Sequence, residues 1–263
     1  MAANINQQLA EQLVLQMGFE EGVYTHARKL LEDIAKDSAQ IYETSPEGSG
    51  LVNVSYSLVM VNMRFEKMLK GEYPAIIKAF SGKNFRELVP QKKMQRKDNE
   101  PKYRTDFTTL SDQWVYENAL SESEAIALTT RKDILDIILT GQNQGLGASA
   151  IASLIRKRAG EEISSYRAQT IAITETHNAA TFANFESARL MDEDLELGLK
   201  KVWLAAEDAR TRPAHRAANK QERAMDEKFN VGGALMMRPG DPAGGANNVV
   251  RCRCVLGWVT GEE

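Results

Sequence analysis

Lys201-Val202-Trp203-Leu204-Ala205-Ala206 runs directly into Glu207-Asp208-Ala209-Arg210-Thr211-Arg212-Pro213-Ala214-His215. The first six residues read as a strand, rich in apolar and aromatic side chains. They break with what precedes them, since residues 7–15 and 27–41 space apolar positions three and four apart, the period of a helix. A second strand-like run, 249–259, contains Arg251-Cys252-Arg253-Cys254. Gly232-Gly233, Arg238-Pro239-Gly240-Asp241-Pro242 and Gly244-Gly245 fill the interval with loop-forming residues. The fold class expected is therefore α+β: a mostly helical N-terminal region, then a C-terminal module of helices followed by a small antiparallel sheet.

Upstream, residues 44–50 have loop composition, and 52–59 alternate like a strand before helical spacing resumes through Met63, Phe65, Met68 and Leu69. Periodicity leaves that junction open, and Ser57 serves equally well as a helix cap. Gly141, Gly145 and Gly147 follow no strand and precede no lysine, so they mark a helix–helix connector rather than a phosphate loop. A short helix is expected over 148–158 and a longer one over 166–191, capped by Ser164 or Ser165. The polar stretch 91–105 is the expected linker between a helical docking arm, 1–105, and the α+β module, 106–263.

With 43% hydrophobic and 26% charged residues, composition is that of an ordinary globular chain, and the net charge of -3 gives no global pull toward nucleic acid. Lys92, Lys93, Arg96 and Lys97 form a local basic cluster, diluted by Asp98 and Glu100. It reads as a solvated linker or as a contact to DNA. No run approaches the eighteen or so apolar residues that span a bilayer. The N-terminus lacks the basic and apolar regions of a signal peptide, so folding in a reducing cytoplasm is expected.

Both cysteines and two of the three histidines lie between positions 177 and 254. On a strand Cys252 and Cys254 face the same way, where two thiolates can fill two corners of a tetrahedral zinc site. His215 and His177 are the candidate third and fourth ligands, and Asp208 and Asp241 are the oxygen substitutes. The alternative is a pair of buried apolar thiols beside a polar latch. In that latch Asp208 accepts from the following turn, Arg210 and Arg212 pair with Asp208, Glu207 or Glu175, and Asp241 is a further member. Glu175 and His177, two apart on a helix, point about 200° apart and cannot share one task. No nucleophile elbow and no His-Glu-x-x-His is present, so no catalytic residue is expected.

Four segments in order resemble the phage Mu F-like family of minor head, or head morphogenesis, proteins. They are Ala168-Gln169-Thr170-Ile171-Ala172-Ile173-Thr174-Glu175-Thr176-His177-Asn178-Ala179-Ala180, the 203–215 segment, Pro239-Gly240-Asp241-Pro242 and Arg251-Cys252-Arg253-Cys254. The resemblance covers roughly residues 130–260. Two positions depart from the family pattern: Ile173 stands where an arginine is usual, and Gly257-Trp258 follows the cysteines where a proline is common. The resemblance implies a low-copy structural component of a tailed phage head, not an enzyme, in the capsid interior or at the portal vertex. Its partners would be the portal protein and the major capsid or scaffold protein, with packaged DNA as a further contact and no membrane. Assembly would take place in the host cytoplasm, and entry into the host with the genome would follow. The alternatives left open are a zinc-dependent hydrolase or toxin-like transferase, and a DNA-contacting packaging accessory. Some relatives carry a toxin domain after this module, and none is expected here.

Overall fold

The computed structural model describes residues 4–88 and 102–260. Helices α1 (Ile5–Thr44), α2 (Gly50–Ser57), α3 (Val61–Glu87), α4 (Lys102–Asn143) and α5 (Ala148–Leu154) come first. A π-helical stretch, Ile155–Ile163, then leads into α6 (Ser164–Leu195). The rest is β1 (Leu199–Leu204), α7 (Pro213–Ala218), β2 (Glu222–Arg223), β3 (Phe229–Val231), β4 (Ala234–Met236), α8 (Ala246–Val249) and β5 (Val255–Thr260). The α+β expectation holds: helices precede, and the sheet structure is antiparallel and C-terminal.

Three local expectations are corrected. Residues 50–57 are helical rather than a strand, and of the alternating positions Val54 is buried while Val52 and Tyr56 are exposed. Ser164 caps nothing, because its hydroxyl donates back to the carbonyl of Gly160 and the helix runs through it. The second strand begins only at Val255, since residues 246–249 are helical and Arg251 takes a left-handed φ of 56°.

Contacts group the chain into two compact units that interleave in sequence, a division different from the boundary expected at residue 105. One contains Glu21–Glu72 and Val115–Ala172. It is all helix, with Leu31, Ile34, Ile134, Ile138, Ile151 and Ile155 buried. In it Arg167 pairs with Asp133 at 3.0 Å.

The other unit contains Met1–Glu20, Tyr73–Trp114 and Ile173–Glu263. Its sheet has the order β2-β1-β5, with Trp203 opposite Leu256 and Val202 opposite Gly257. Strand alternation sends Leu199, Trp203, Leu256 and Trp258 to one core, and Val202, Leu204 and Val255 to another formed with Ile5, Leu9 and Leu13 of α1. A β-carbon on Gly257 would lie 2.7 Å from Leu204 Cδ1, so glycine there lets the α1 side close. The β3–β4 hairpin turns on Gly232-Gly233, both at positive φ (61° and 89°), as a two-residue hairpin requires. From Ile173 to Phe185 every residue of α6 is buried; Glu175, His177, Asn178, Thr181 and Asn184 are placed by side-chain hydrogen bonds, and Thr176 Oγ1 has none among the described residues.

Candidate functional site

Trp203 is the platform on which the site is built. Fully buried on β1, its indole meets the His215 ring edge-on at 5.7 Å and the Phe229 ring at 5.4 Å. Beyond β1 the chain turns at Asp208, whose carboxylate accepts from the Arg210 amide (2.9 Å), the Arg210 guanidinium (3.0 Å) and the Thr211 hydroxyl (3.1 Å). The Arg210 guanidinium and the Thr211 hydroxyl hold the Asp208 carboxyl below its usual range, against the desolvation that comes first among the influences on it. Pro213 occupies the first turn of α7, and two residues later His215 points inward, buried.

The cysteines reach the same place by a turn rather than by strand alternation. Cys252 donates its amide to the Val249 carbonyl at 3.1 Å, and the Arg251 amide donates to Thr174 Oγ1 on α6 at 3.1 Å. The left-handed φ of Arg251 swings Cys252 inward, and Cys254 follows with its own amide 3.4 Å from Cys252 Sγ. His215 Nδ1 then lies 3.3 Å from Cys254 Sγ and 3.6 Å from Cys252 Sγ. These three donor atoms sit within 4.8 Å of one another, all on buried residues. Hydrogen bonding between the two sulfurs holds the Cys252 thiol well below its ordinary pKa and pushes Cys254 well above it.

His177 is not part of the cluster. Its Nε2 donates to the Cys254 carbonyl at 2.7 Å, and its buried Nδ1 has no hydrogen-bond partner among the described residues. It positions the cysteine loop from α6. Glu175, on another side of α6, accepts from the Tyr73 hydroxyl at 2.6 Å. The expected latch is therefore divided. Arg210 stays with Asp208, Arg212 donates to the Val250 carbonyl, and neither reaches Glu175.

Asp241 caps its turn, accepting from the amides of Met237 (2.6 Å) and Ala243 (2.9 Å). The basic cluster Lys92, Lys93, Arg96 and Lys97 lies outside the described residues.

Residue type alone gave no signal for two further participants. Asn248 Oδ1 sits 3.2 Å from His215 Nε2, while its Nδ2 donates to the Gly244 carbonyl at 3.0 Å. Arg238 is buried and donates to Thr181 Oγ1 (2.8 Å), Asn178 Oδ1 (3.2 Å) and the Pro239 carbonyl, pinning the Pro239–Pro242 turn on α6. Burial lowers its pKa to about 10, with Asp241 and Glu186 opposing the shift. A cavity of about 280 Å³ opens over the cluster, bordered by Asp208, Arg210, Arg212, Arg251 and Arg253. Arg253 is held at that border by a two-pronged pair with Glu20 of α1 (2.9 and 3.0 Å).

The segment from α4 into β5, which contains this site, matches the model of the family described as Phage Mu protein F like protein, over residues 132–257. The matched segment is just under half of the chain. It is also 32% identical over 127 residues to the minor head protein GP7 of Bacillus phage SPP1, covering 48% of this chain and 40% of that protein. A second relative, the NAD(+)–arginine ADP-ribosyltransferase EFV of Enterococcus faecalis, is 32% identical over 126 residues, 47% of this chain and 24% of that protein. The chain thus spans between a quarter and two fifths of the length of these relatives. No solved structure matches it. Within the Mu F-like segment lie α6, α7, Asn248 and both cysteines, so the His215–Cys252–Cys254 cluster falls wholly inside it.

Proposed function

We propose that this Mu F-like chain is a minor structural protein of a tailed phage or prophage head, acting by binding during head assembly. The observation that carries the proposal is the match to a phage minor head protein through the Mu F-like segment. The fold is in keeping with it. The candidate cluster is buried and hydrogen-bonded into the core, as suits a module that holds its shape. The finer reading is a low-copy component at the portal vertex or inside the shell, touching portal protein and coat or scaffold protein, and leaving with the DNA.

The rival is a transferase, since one relative bears that name. Three quarters of that relative lie outside the match, so the segment alone is weak support for its activity. No helix among the described residues is long and apolar enough to cross a membrane, which fits a head component but does not single one out.

Quantitative proteomics of purified heads is the test. The expected result is a few copies per head, with misassembled or empty heads when the gene is deleted, and co-purification with the portal protein. Normal heads lacking the protein would overturn the proposal. So would arginine-directed ADP-ribosyl transfer by the purified chain.

A further inference from the structure

We infer that His215 Nδ1, Cys252 Sγ and Cys254 Sγ are ligands of a zinc ion whose fourth position faces the cavity over the cluster. The inference stands apart from the head role and concerns the chain's own chemistry.

Three observations carry it. The first is spacing. Zinc bonds of about 2.3 Å to sulfur and about 2.0 Å to nitrogen, at tetrahedral angles, put ligand sulfur and nitrogen roughly 3.6 Å apart. The observed separations are 3.3 and 3.6 Å.

The second is the tautomer. Asn248 Nδ2 donates to the Gly244 carbonyl, which turns Asn248 Oδ1 toward His215. An oxygen there can only accept, so His215 Nε2 carries the hydrogen and Nδ1 presents a lone pair to the sulfurs. A histidine held at one nitrogen by a protein acceptor, with the other free, is the usual state of a metal ligand.

The third is valence. One Nδ1 lone pair faces two sulfurs, and a hydrogen bond satisfies only one of them, whereas a cation satisfies all three donors. Two soft thiolates with an imidazole favour zinc over harder cations. The cavity gives the ion a way in and a place for a water as fourth ligand.

The ion would tie α7 to the loop that opens β5, closing a module whose own sheet is small. The same contacts also draw a line from a cysteine through His215 to Asn248, the order of groups in a thiol nucleophile. Both cysteines are buried, which disfavours that role and suits coordination.

The full chain, expressed with zinc in the medium and purified without chelator, is analysed for metal, and its thiols are alkylated with iodoacetamide before and after chelation. We expect one zinc per chain and two cysteines that alkylate only after the metal is removed. Cys252→Ser and Cys254→Ser lose the zinc, and His177→Gln retains it. Should those variants fail to fold, cobalt titration of the stripped wild-type chain still decides, by the strong thiolate-to-cobalt absorption of a tetrahedral site. Metal-free wild type with no such absorption would overturn the inference. A Cys252–Cys254 disulfide, or one cysteine that alkylates rapidly without chelation, would do the same, the latter pointing to a nucleophile instead.

Discussion

His215 Nδ1 lies 3.3 Å from Cys254 Sγ, although 39 residues separate them in the chain. Three unrelated pieces of backbone have to agree for that distance to arise. Pro213 must start α7 at the right point, Arg251 must adopt its left-handed turn, and His177 must hold the Cys254 carbonyl from α6. Each is fixed by hydrogen bonds outside the cluster, so the site is preorganised by its surroundings.

Asn248 is the most exposed part of that support to mutation. Replacing it with leucine removes the acceptor that fixes the His215 ring. Loss of such a supporting partner typically weakens metal affinity about 10- to 100-fold. Asn248→Leu should show that loss in a chelator competition, with the helical content by circular dichroism unchanged. Unaltered zinc affinity would show that the ring is oriented by Trp203 packing alone.

How much of this was legible beforehand depends on what kind of signal each part leaves. The convergence of Cys252, Cys254 and His215 was legible, because those residue types are rare in the chain and cluster late. The mechanism of convergence was not. A strand through 249–259 was expected, but Arg251 breaks it, and its left-handed φ leaves no mark in a residue type that seldom adopts it. His177 as ligand and Glu175 as an arginine partner of the 210–212 turn were misplaced, since a buried polar helix offers many partners and spacing does not choose among them. Asn248 and Arg238 were missed because an amide or a guanidinium beside a glycine-rich stretch is ordinary until the segment is seen folded. The helix at 50–57 was undecided because Val52, Val54 and Tyr56 alternate like a strand over a run too short to show a helical period.

Gly240 joins the Pro239–Pro242 turn to α6. Its φ is 75°, and an added β-carbon would meet His177 Nδ1 at 3.0 Å and Thr181 Oγ1 at 3.1 Å. Gly240→Ala combines backbone strain with displacement of two buried side chains, for a loss of about 2–4 kcal/mol. Gly233, at φ 89° with open space around it, is the matched control and should lose only about 1 kcal/mol. Denaturant titration of the two variants side by side separates crowding from strain. Equal losses would remove the role given to the His177 contact.

Lys201 predicts a pH dependence. Its side chain is fully buried on β1, donating to the Met237 carbonyl at 3.0 Å with its ammonium over the rings of Phe185 and Phe229. Burial lowers its pKa from 10.5 to about 8, opposed by Asp226, Asp241, Glu227 and Glu186. Between those values the unfolded chain holds the proton and the folded chain has released it, so stability rises with pH across that window. Below pH 8 both states are charged and the full cost of burying the charge remains, about 2–3 kcal/mol. The stability difference between Lys201→Met and wild type should therefore be constant up to about pH 8 and shift by that amount in favour of wild type by pH 10.5. A difference flat across the whole range would mean that Lys201 titrates as a solvated lysine.

The outer edge of β5 predicts what the first helix is for. Strand β5 ends the sheet among the described residues, so alternate backbone groups along it have no strand partner there. Two glutamines of α1 take that place. Gln8 accepts from the Trp258 amide at 2.8 Å and donates to its carbonyl at 3.0 Å, and Gln12 donates to the Leu256 carbonyl at 2.7 Å. Asn184 of α6 donates to both Gln12 Oε1 (2.9 Å) and the Leu256 carbonyl (3.1 Å), and accepts from the Trp258 indole (3.0 Å), closing a buried amide network. The side chains thus imitate a neighbouring strand, and an open apolar edge that would otherwise invite pairing with another chain is covered. Replacing both glutamines with leucine keeps the bulk but strands two buried backbone groups, the Trp258 amide and carbonyl, at roughly 1–3 kcal/mol each before relaxation, while the Leu256 carbonyl keeps its bond from Asn184. Gln8→Leu/Gln12→Leu should melt several degrees lower and scatter light on standing at concentrations where wild type stays clear. Gln8→Glu, which can still accept from the Trp258 amide but cannot donate, should fall between the two. A double variant as stable and as soluble as wild type would show that apolar contact of Ile5, Leu9 and Leu13 with Val202, Leu204 and Val255 is enough to hold α1, and that the edge needs no cap.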